Sequence, residues 1–254
     1  MSNDHEESAG TTHFGFQTIP EAEKSARVKA VFDSVADRYD LMNDLMSGGI
    51  HRLWKAALIA TIEPRPGQHL VDVAGGTGDI AFRFLEATGG DGRATIVDIN
   101  HGMLAIGRDR AFDHGLVRGL EWVAGDAQAL PFRDRCADLC TIAFGLRNVT
   151  QIPAALAEAR RILRPGGRFF CLEFSHVAMP LLSRLYDAYS FTVLPALGEL
   201  VTGDRGAYQY LVESIRRFPT QRELADLMTR AGLDRVRFTN LSGGIAAIHS
   251  AWRL

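Results

Sequence analysis

The sequence predicts an α/β fold with a doubly wound, mostly parallel sheet and helices on both faces. Short apolar runs typical of buried strands alternate with amphipathic stretches typical of helices. The size fits one such domain, because 254 residues that are 46% hydrophobic can bury one substantial core. Seven runs are predicted as strands, namely residues 70–73, 95–97, 120–123, 138–144, 168–174, 235–240 and 245–252.

The strongest local motif connects the first of these strands to a helix. The run Leu70–Asp79 is an apolar strand followed by three glycines, Gly75, Gly76 and Gly78. Glycine lets the backbone approach a bound ligand closely. Asp98 ends the next strand, where a carboxylate can accept hydrogen bonds from both hydroxyls of a ribose. These residues predict a Rossmann-like site for a cofactor that contains adenosine.

Two classes of cofactor fit this loop. Residues 76–81 match the dinucleotide fingerprint G-x-G-x-x-A, so NAD is one interpretation. Asp72 and the Gly75–Gly76 doublet favour S-adenosylmethionine instead, because an acid inside the strand can fix the loop or reach an ammonium group through water. Asp126 and Ala127 follow the third strand, where an acid can bond the adenine amino group beside an apolar wall. The ordered series resembles class I S-adenosylmethionine-dependent methyltransferases.

Charge and cysteine usage narrow the expected partners. The formal net charge of −2 gives no basic field for nucleic acid. The three cysteines are odd in number and lack metal-type spacing, which indicates reduced thiols in a cytosol and implies no metal. No uninterrupted apolar run is long enough to span a bilayer.

The predicted organisation is one methyltransferase domain over residues 21–254, preceded by a flexible tail over residues 1–20. Residues 21–63 form an N-terminal helical segment that caps the substrate site. Residues 176–210 form an apolar helical insertion after the fifth strand, which Arg184 and Asp187 exclude as a membrane span. The insertion is interpreted equally as an extra layer on the sheet and as the roof of an apolar acceptor pocket.

A second cluster identifies the acceptor by resemblance. Tyr39–Ser47, followed by His51 and Trp54, closely resembles the signature of the C-methyltransferases of ubiquinone and menaquinone biosynthesis. The resemblance continues through residues 144–149 and 161–175 and covers nearly the whole chain. It implies an antiparallel final strand and transfer of a methyl group from S-adenosylmethionine to a ring carbon of a polyprenyl benzoquinol or a demethylmenaquinol.

The same resemblance implies the site residues. The cofactor contacts implied by matching motif are Thr77, Asp98, Asp126 and Ala127. Ala143 stands where many relatives carry a small hydroxyl residue, so one polar cofactor contact would be missing here.

Arg147 and Asn148 directly follow the fourth strand, at the expected edge of the crevice, and are predicted to engage the quinol oxygens. Electrostatic stabilisation of a phenolate is the preferred role for Arg147, because a guanidinium with a pKa above about 12 is a poor base. Tyr39 and His51 are candidates to orient the ring or relay a proton, with a structural hydrogen bond as the alternative for each.

The substrate tail predicts a location. Each buried CH₂ is worth about 0.8 kcal/mol, so a polyprenyl tail stays in the bilayer. The expected location is the cytoplasm, with peripheral association at the inner membrane through residues 181–200. Expected partners are the quinol and other enzymes of quinone biosynthesis, with a homodimer left open. The alternatives are an NAD-dependent oxidoreductase, a methyltransferase acting on nucleic acid and a scaffold without catalysis.

Overall fold

The protein is described from a computed structural model, which covers residues 10–35, 44, 47–116, 118–177 and 205–254. Within these ranges the helices are α1 (Glu21–Val35), α2 (His51–Ile62), α3 (Asp79–Ala87), α4 (His101–Asp113), α5 (Ile152–Ile162), α6 (Arg205–Arg217) and α7 (Gln221–Arg230). The strands are β1 (Thr11–Phe14), β2 (Gln17–Pro20), β3 (His69–Val73), β4 (Arg93–Asp98), β5 (Leu120–Ala124), β6 (Ala137–Ala143), β7 (Leu163–Phe174), β8 (Asp234–Leu241) and β9 (Ala246–Trp252).

The predicted seven-stranded sheet is confirmed. Its strands are arranged in the order β5-β4-β3-β6-β7-β9-β8. The first five strands in this order pair in parallel, namely β5, β4, β3, β6 and β7. Strand β9 is antiparallel to both of its neighbours, β7 and β8. The final strand is therefore the antiparallel one, as expected.

The central strand β3 shows why helices cover both faces. Leu70 packs into the core on one face, together with Leu58 of α2 and Phe84 of α3. Val71 packs into the core on the opposite face, together with Leu156 of α5. Successive side chains of a strand point to opposite faces, so a strand covered by helices on both faces is mostly apolar, and Asp72 is the buried exception in β3.

The prediction of a flexible tail over residues 1–20 is wrong for its second half. Residues 11–20 form an antiparallel hairpin, β1 with β2. The ring of Phe14 stacks on Tyr210 of α6 with centroids 4.2 Å apart, and Phe16 N donates to Glu213 Oε2 at 2.9 Å. The polar composition concealed this hairpin, because its two aromatic residues find their partners about 200 positions away in the chain.

The N-terminal segment is attached to the loops of the sheet by hydrogen bonds from both ends of α1. Lys24 Nζ donates to the carbonyl of Val149 at 3.0 Å. Asn100 Nδ2 donates to Asp33 Oδ1 at 2.8 Å. The helix therefore lies over the carboxyl ends of the strands. Of the predicted insertion, residues 178–204 lie outside the described part of the chain.

Candidate active site

The candidate site lies at the carboxyl edge of the parallel strands. Chain order reverses there, because β4 and β6 flank β3 on opposite sides. Ligands of open α/β sheets bind at this type of switch point. Two cavities open here, with about 810 Å³ of empty space in the larger one, part of it open to solvent, and about 340 Å³ in the smaller one.

The larger cavity is lined by the loops after β3, β4, β5 and β6 and by one side of α1. Its polar lining includes Asp98, Asn100, Asp126 and Asn148, and its apolar lining includes Val28, Phe32, Ile99, Met103, Ala127 and Phe144. A largely apolar cavity with a few acids and amides suits a nucleoside. Five residues predicted from the sequence therefore line one cavity in the structure, namely Gly76, Asp98, Asp126, Ala127 and Asn148.

The smaller cavity contains the remaining predicted cofactor residues except Gly78. It is lined by Lys55, Asp72, Gly75, Thr77, Asp79, Ile80 and Ala143. Ala74 and Phe144 line both cavities. The two spaces therefore meet at the loops that follow β3 and β6.

These two loops have unusual backbone. Ala74 has a φ of 52° and Phe144 a φ of 58°, in the left-handed region that residues with side chains rarely adopt. A Cβ added to Gly145 would lie 2.5 Å from the Cβ of Ala74, so the loops approach as closely as a glycine allows. Strained backbone of this type clusters at functional sites.

The glycines of the loop after β3 are required for packing within the protein as well as for the approach of a ligand. A Cβ at Gly75 would lie 2.8 Å from Asp72 Oδ2, and a Cβ at Gly78 would lie 2.8 Å from the Trp122 ring. Both positions are thus closed to a side chain by the protein itself. Ligand approach alone, the reason assumed from the sequence, does not account for them.

Asp98 is fixed by backbone amides. Its Oδ2 accepts from Gly76 N at 2.9 Å and its Oδ1 from Asn100 N at 2.8 Å. Burial raises the pKa of Asp98, and these hydrogen bonds act in the opposite direction. Each oxygen retains a lone pair, so the side chain can still accept from two neighbouring hydroxyls.

Asp126 is oriented by its own loop. Its Oδ1 accepts from Gln128 N at 2.9 Å, and the amide of the Gln128 side chain donates to both carboxylate oxygens at 3.1 Å. Gln128 Oε1 in turn accepts from Gln151 N at 2.8 Å. The acid is held at the cavity wall beside Ala127, where an exocyclic amine could reach it.

Asp72 is the most deeply buried acid at the site. Only 1% of the residue is exposed, and Thr141 Oγ1 donates to its Oδ1 at 2.6 Å. Its Oδ2 has no hydrogen-bond partner among the described residues. Burial raises the pKa of Asp72 to about 7. A buried acceptor without a partner is costly, so this oxygen is suited to a donor brought by a ligand.

Arg147 is not at the crevice edge, where the sequence placed it. Its side chain is 2% exposed and lines neither cavity in the described structure. Nη1 donates to Glu173 Oε1 at 2.7 Å and also to the carbonyl of Phe144. Burial raises the pKa of Glu173, and the Arg147 charge opposes that effect. The Glu173 carboxylate at the end of β7 attracts the guanidinium into the protein interior. There the guanidinium holds the backbone of the loop after β6 through the Phe144 carbonyl.

Asn148 does reach the larger cavity, and Tyr210 fixes its amide. The Tyr210 hydroxyl donates to Asn148 Oδ1 at 2.9 Å. This orientation leaves the Nδ2 hydrogens for another acceptor.

His51 lies buried at the start of α2 and lines neither cavity in the described structure. Its Nε2 is 2.9 Å from Asp44 Oδ1. Burial lowers the pKa of His51 and Asp44 opposes this, so the arrangement fits the structural alternative given above. Tyr39 lies outside the described residues.

Comparison with known proteins identifies the family. The model of the ubiE/COQ5 methyltransferase family matches residues 21–253. The chain belongs to this family. A ubiquinone/menaquinone biosynthesis C-methyltransferase of Paracoccus denitrificans is 58% identical over 243 residues, which are 96% of this chain and 97% of that protein. A mitochondrial 2-methoxy-6-polyprenyl-1,4-benzoquinol methylase of Danio rerio is 52% identical and covers 96% of this chain and 85% of its own length.

Solved structures agree on the fold of this ubiE/COQ5 methyltransferase. The [4+2]-cyclase SpnF superposes with a TM-score of 0.65 at 17% identity, covering 90% of this chain and 96% of its own. An S-adenosylmethionine-dependent methyltransferase of Aquifex aeolicus gives 0.58 at 14%, covering 79% and 89%. At such identities they show the fold alone. The oxidoreductase alternative receives no support from any of these relatives.

Sequence reasoning missed four residues of the site in this methyltransferase. They are Lys55, Asp79, Glu173 and Tyr210. The signal for Glu173 was present, since it is an acid inside the apolar run of β7, as Asp72 is inside β3. Tyr210 carried no such signal, because its partners lie far away in the chain.

The buried Asp72 predicts a pH-dependent stability for the methyltransferase. Its folded pKa of about 7 exceeds the unfolded value of 3.8, so the native state binds the extra proton and loses stability as pH rises towards 7. The unfolding free energy of the wild type minus that of Asp72→Asn should decrease by about 2 kcal/mol between pH 5.5 and pH 8. Urea unfolding followed by tryptophan fluorescence measures it. An equal difference at both pH values would contradict the assignment.

Proposed function

We propose that this methyltransferase transfers a methyl group from S-adenosylmethionine to a ring carbon of a polyprenyl benzoquinol, a demethylmenaquinol or both. The observation that carries the proposal is the meeting of two cavities at Ala74 and Phe144. One cavity is lined by Asp98, Asp126 and Asn148, and the other by Asp72, whose Oδ2 has no partner among the described residues. The names of the relatives at 58% and 52% identity support the acceptor class.

The residues present fit S-adenosylmethionine. Asp98 would accept from the ribose hydroxyls and Asp126 from the adenine amine, and the position of both acids in the lining of the larger cavity supports these roles. Asp72 Oδ2, which has no partner in the described part of the chain, suits an ammonium group. When bound, S-adenosylmethionine supplies an electrophilic methyl group on a sulfonium.

On the acceptor side, Asn148 would donate its Nδ2 hydrogens to a ring oxygen, which the hydrogen bond from Tyr210 to its Oδ1 supports. A hydrogen bond to that oxygen stabilises the phenolate form, and a phenolate makes the neighbouring ring carbon more nucleophilic. The Arg147–Glu173 ion pair acts through this loop rather than by touching the ring. Arg147 is therefore a positioning residue in this proposal. Methyl transfer to a ring carbon releases the proton of that carbon, and Tyr39 remains a candidate to relay it.

The reaction is tested with purified protein, labelled S-adenosylmethionine and a demethylquinol that carries a short prenyl tail. The reduced ring should receive a methyl group on carbon, whereas the oxidised quinone should not, because its ring carbons are electron-poor. Product mass spectra distinguish carbon from oxygen methylation. Transfer to oxygen, or equal transfer to quinol and quinone, would refute the proposal.

Peripheral contact with the membrane is part of this proposal, since the prenyl tail remains in the bilayer. None of the helices in the described ranges is long and apolar enough to cross a membrane. Leu53 on α2 is 69% exposed beside the exposed Arg52 and Ile50, a combination that suits the lipid–water boundary. Residues 181–200, the contact predicted from the sequence, lie outside the described structure.

Flotation with liposomes of anionic lipid tests this contact. Leu53→Asp and Leu182→Asp should each reduce the fraction that floats with the liposomes, because a charge opposes insertion of either segment. Phe112→Asp is the matched control, since Phe112 is similarly exposed at 71% but lies on another helix, α4. Unchanged flotation of a variant would remove its segment from the proposed contact.

A further inference from the structure

The smaller cavity combines features that suit the two charges of an α-amino acid. The α3 helix starts at Asp79, and its N-cap is Gly78, which offers no side chain to the first backbone amides. Thr77, Asp79 and Ile80 of this helix start line the cavity. An uncapped helix N-terminus favours a carboxylate. Asp72 lines the same cavity, and its buried Oδ2, which has no partner among the described residues, favours an ammonium.

Lys55 adds a positive charge to the carboxylate side of this cavity. It comes from α2, in the N-terminal helical segment, and its side chain is 7% exposed. Nζ donates to Asp79 Oδ2 at 2.7 Å, and Arg83 Nε donates to Asp79 Oδ1 at 2.7 Å. Asp79 is therefore held by two cations, and the remaining hydrogens of Lys55 Nζ are available to a second carboxylate.

We propose that Lys55 binds the carboxylate of the cofactor's amino acid end, together with the start of α3, while Asp72 holds the ammonium. This inference rests on the proposed function and adds a residue that determines specificity. It means that the N-terminal segment completes the cofactor site from outside the sheet. It also means that the site distinguishes cofactors by their amino acid end, and not by adenosine alone.

The test compares two ligands that share the adenosine part. S-adenosylhomocysteine carries the amino acid end, and 5′-methylthioadenosine lacks it. Isothermal titration calorimetry should show that Lys55→Met weakens S-adenosylhomocysteine binding about 10–100-fold and leaves 5′-methylthioadenosine binding within about threefold. Lys55→Arg, which keeps the charge, should retain most of the preference. Arg52→Met on the same helix is the control and should leave both affinities unchanged, since Arg52 is exposed.

Equal loss for the two ligands would mean that Lys55 shapes the cavity rather than binding the carboxylate, and unchanged affinity for S-adenosylhomocysteine would also overturn the proposal. Lys55→Met leaves Asp79 paired with Arg83, so the variant is expected to fold, and its melting temperature checks this. If the wild type bound neither ligand, the proposed function itself would fail; if only the Lys55 effect were missing, that function would stand.

Discussion

Replacing Arg147 with alanine is expected to lower kcat by about 10²-fold or more, because the loop that presents Asn148 loses its support. The guanidinium links the Phe144 carbonyl to Glu173. The affinity for S-adenosylhomocysteine should change little, since Arg147 lines neither cavity in the described structure. Steady-state kinetics with the reduced quinol and calorimetry measure the two quantities.

The same substitution leaves the Glu173 carboxylate buried without its cation, which should cost about 3–5 kcal/mol of unfolding free energy. The double variant Arg147→Met, Glu173→Leu separates stability from turnover. Apolar residues of similar volume can replace a buried ion pair without loss of stability, so the double variant should recover stability while kcat stays low. If kcat recovered together with stability, the ion pair would have a structural role only.

Asp98→Ala is expected to weaken S-adenosylhomocysteine binding by about 10²–10³-fold, because it removes the acceptor for the ribose and leaves two backbone amides without their partner. Those amides belong to Gly76 and Asn100 and form part of the cavity wall. Calorimetry with S-adenosylhomocysteine gives the affinity.

Asp109→Ala on α4 is the matched control, because Asp109 lies outside both cavities. This variant should bind S-adenosylhomocysteine as tightly as the wild type does. Thermal shift with NADH should show no stabilisation of the wild type, since the relatives are methyltransferases. An affinity of Asp98→Ala within about threefold of the wild type would refute the role given to Asp98.

The sequence was sufficient for most of the fold because the sheet is encoded locally. Apart from Asp72, the buried residues of β3 are apolar on both faces, as a central parallel strand requires, and α7 starts at the capping box formed by Thr220 and Glu223. The hairpin of residues 11–20 was missed since its stability comes from contact with Tyr210 and Glu213, which sequence spacing does not reveal.

The cofactor residues were predictable for a related reason. Asp72, Asp98 and Asp126 each interrupt or follow an apolar strand, so their place at the carboxyl edge follows from topology. The direction of a side chain does not follow from topology. Arg147 was therefore expected at the cavity and lies buried against Glu173, whereas Lys55, which belongs to no motif singled out in the sequence, lines the smaller cavity.

Complementation tests the central claim most directly. A bacterial strain that lacks its own quinone C-methyltransferase would express this chain, and its quinones would be extracted and analysed by mass spectrometry. The methylated quinone should reappear with the wild type and stay absent with Arg147→Ala at equal protein level. Accumulation of the demethylated intermediates despite a folded wild type that binds S-adenosylhomocysteine would contradict quinol C-methylation.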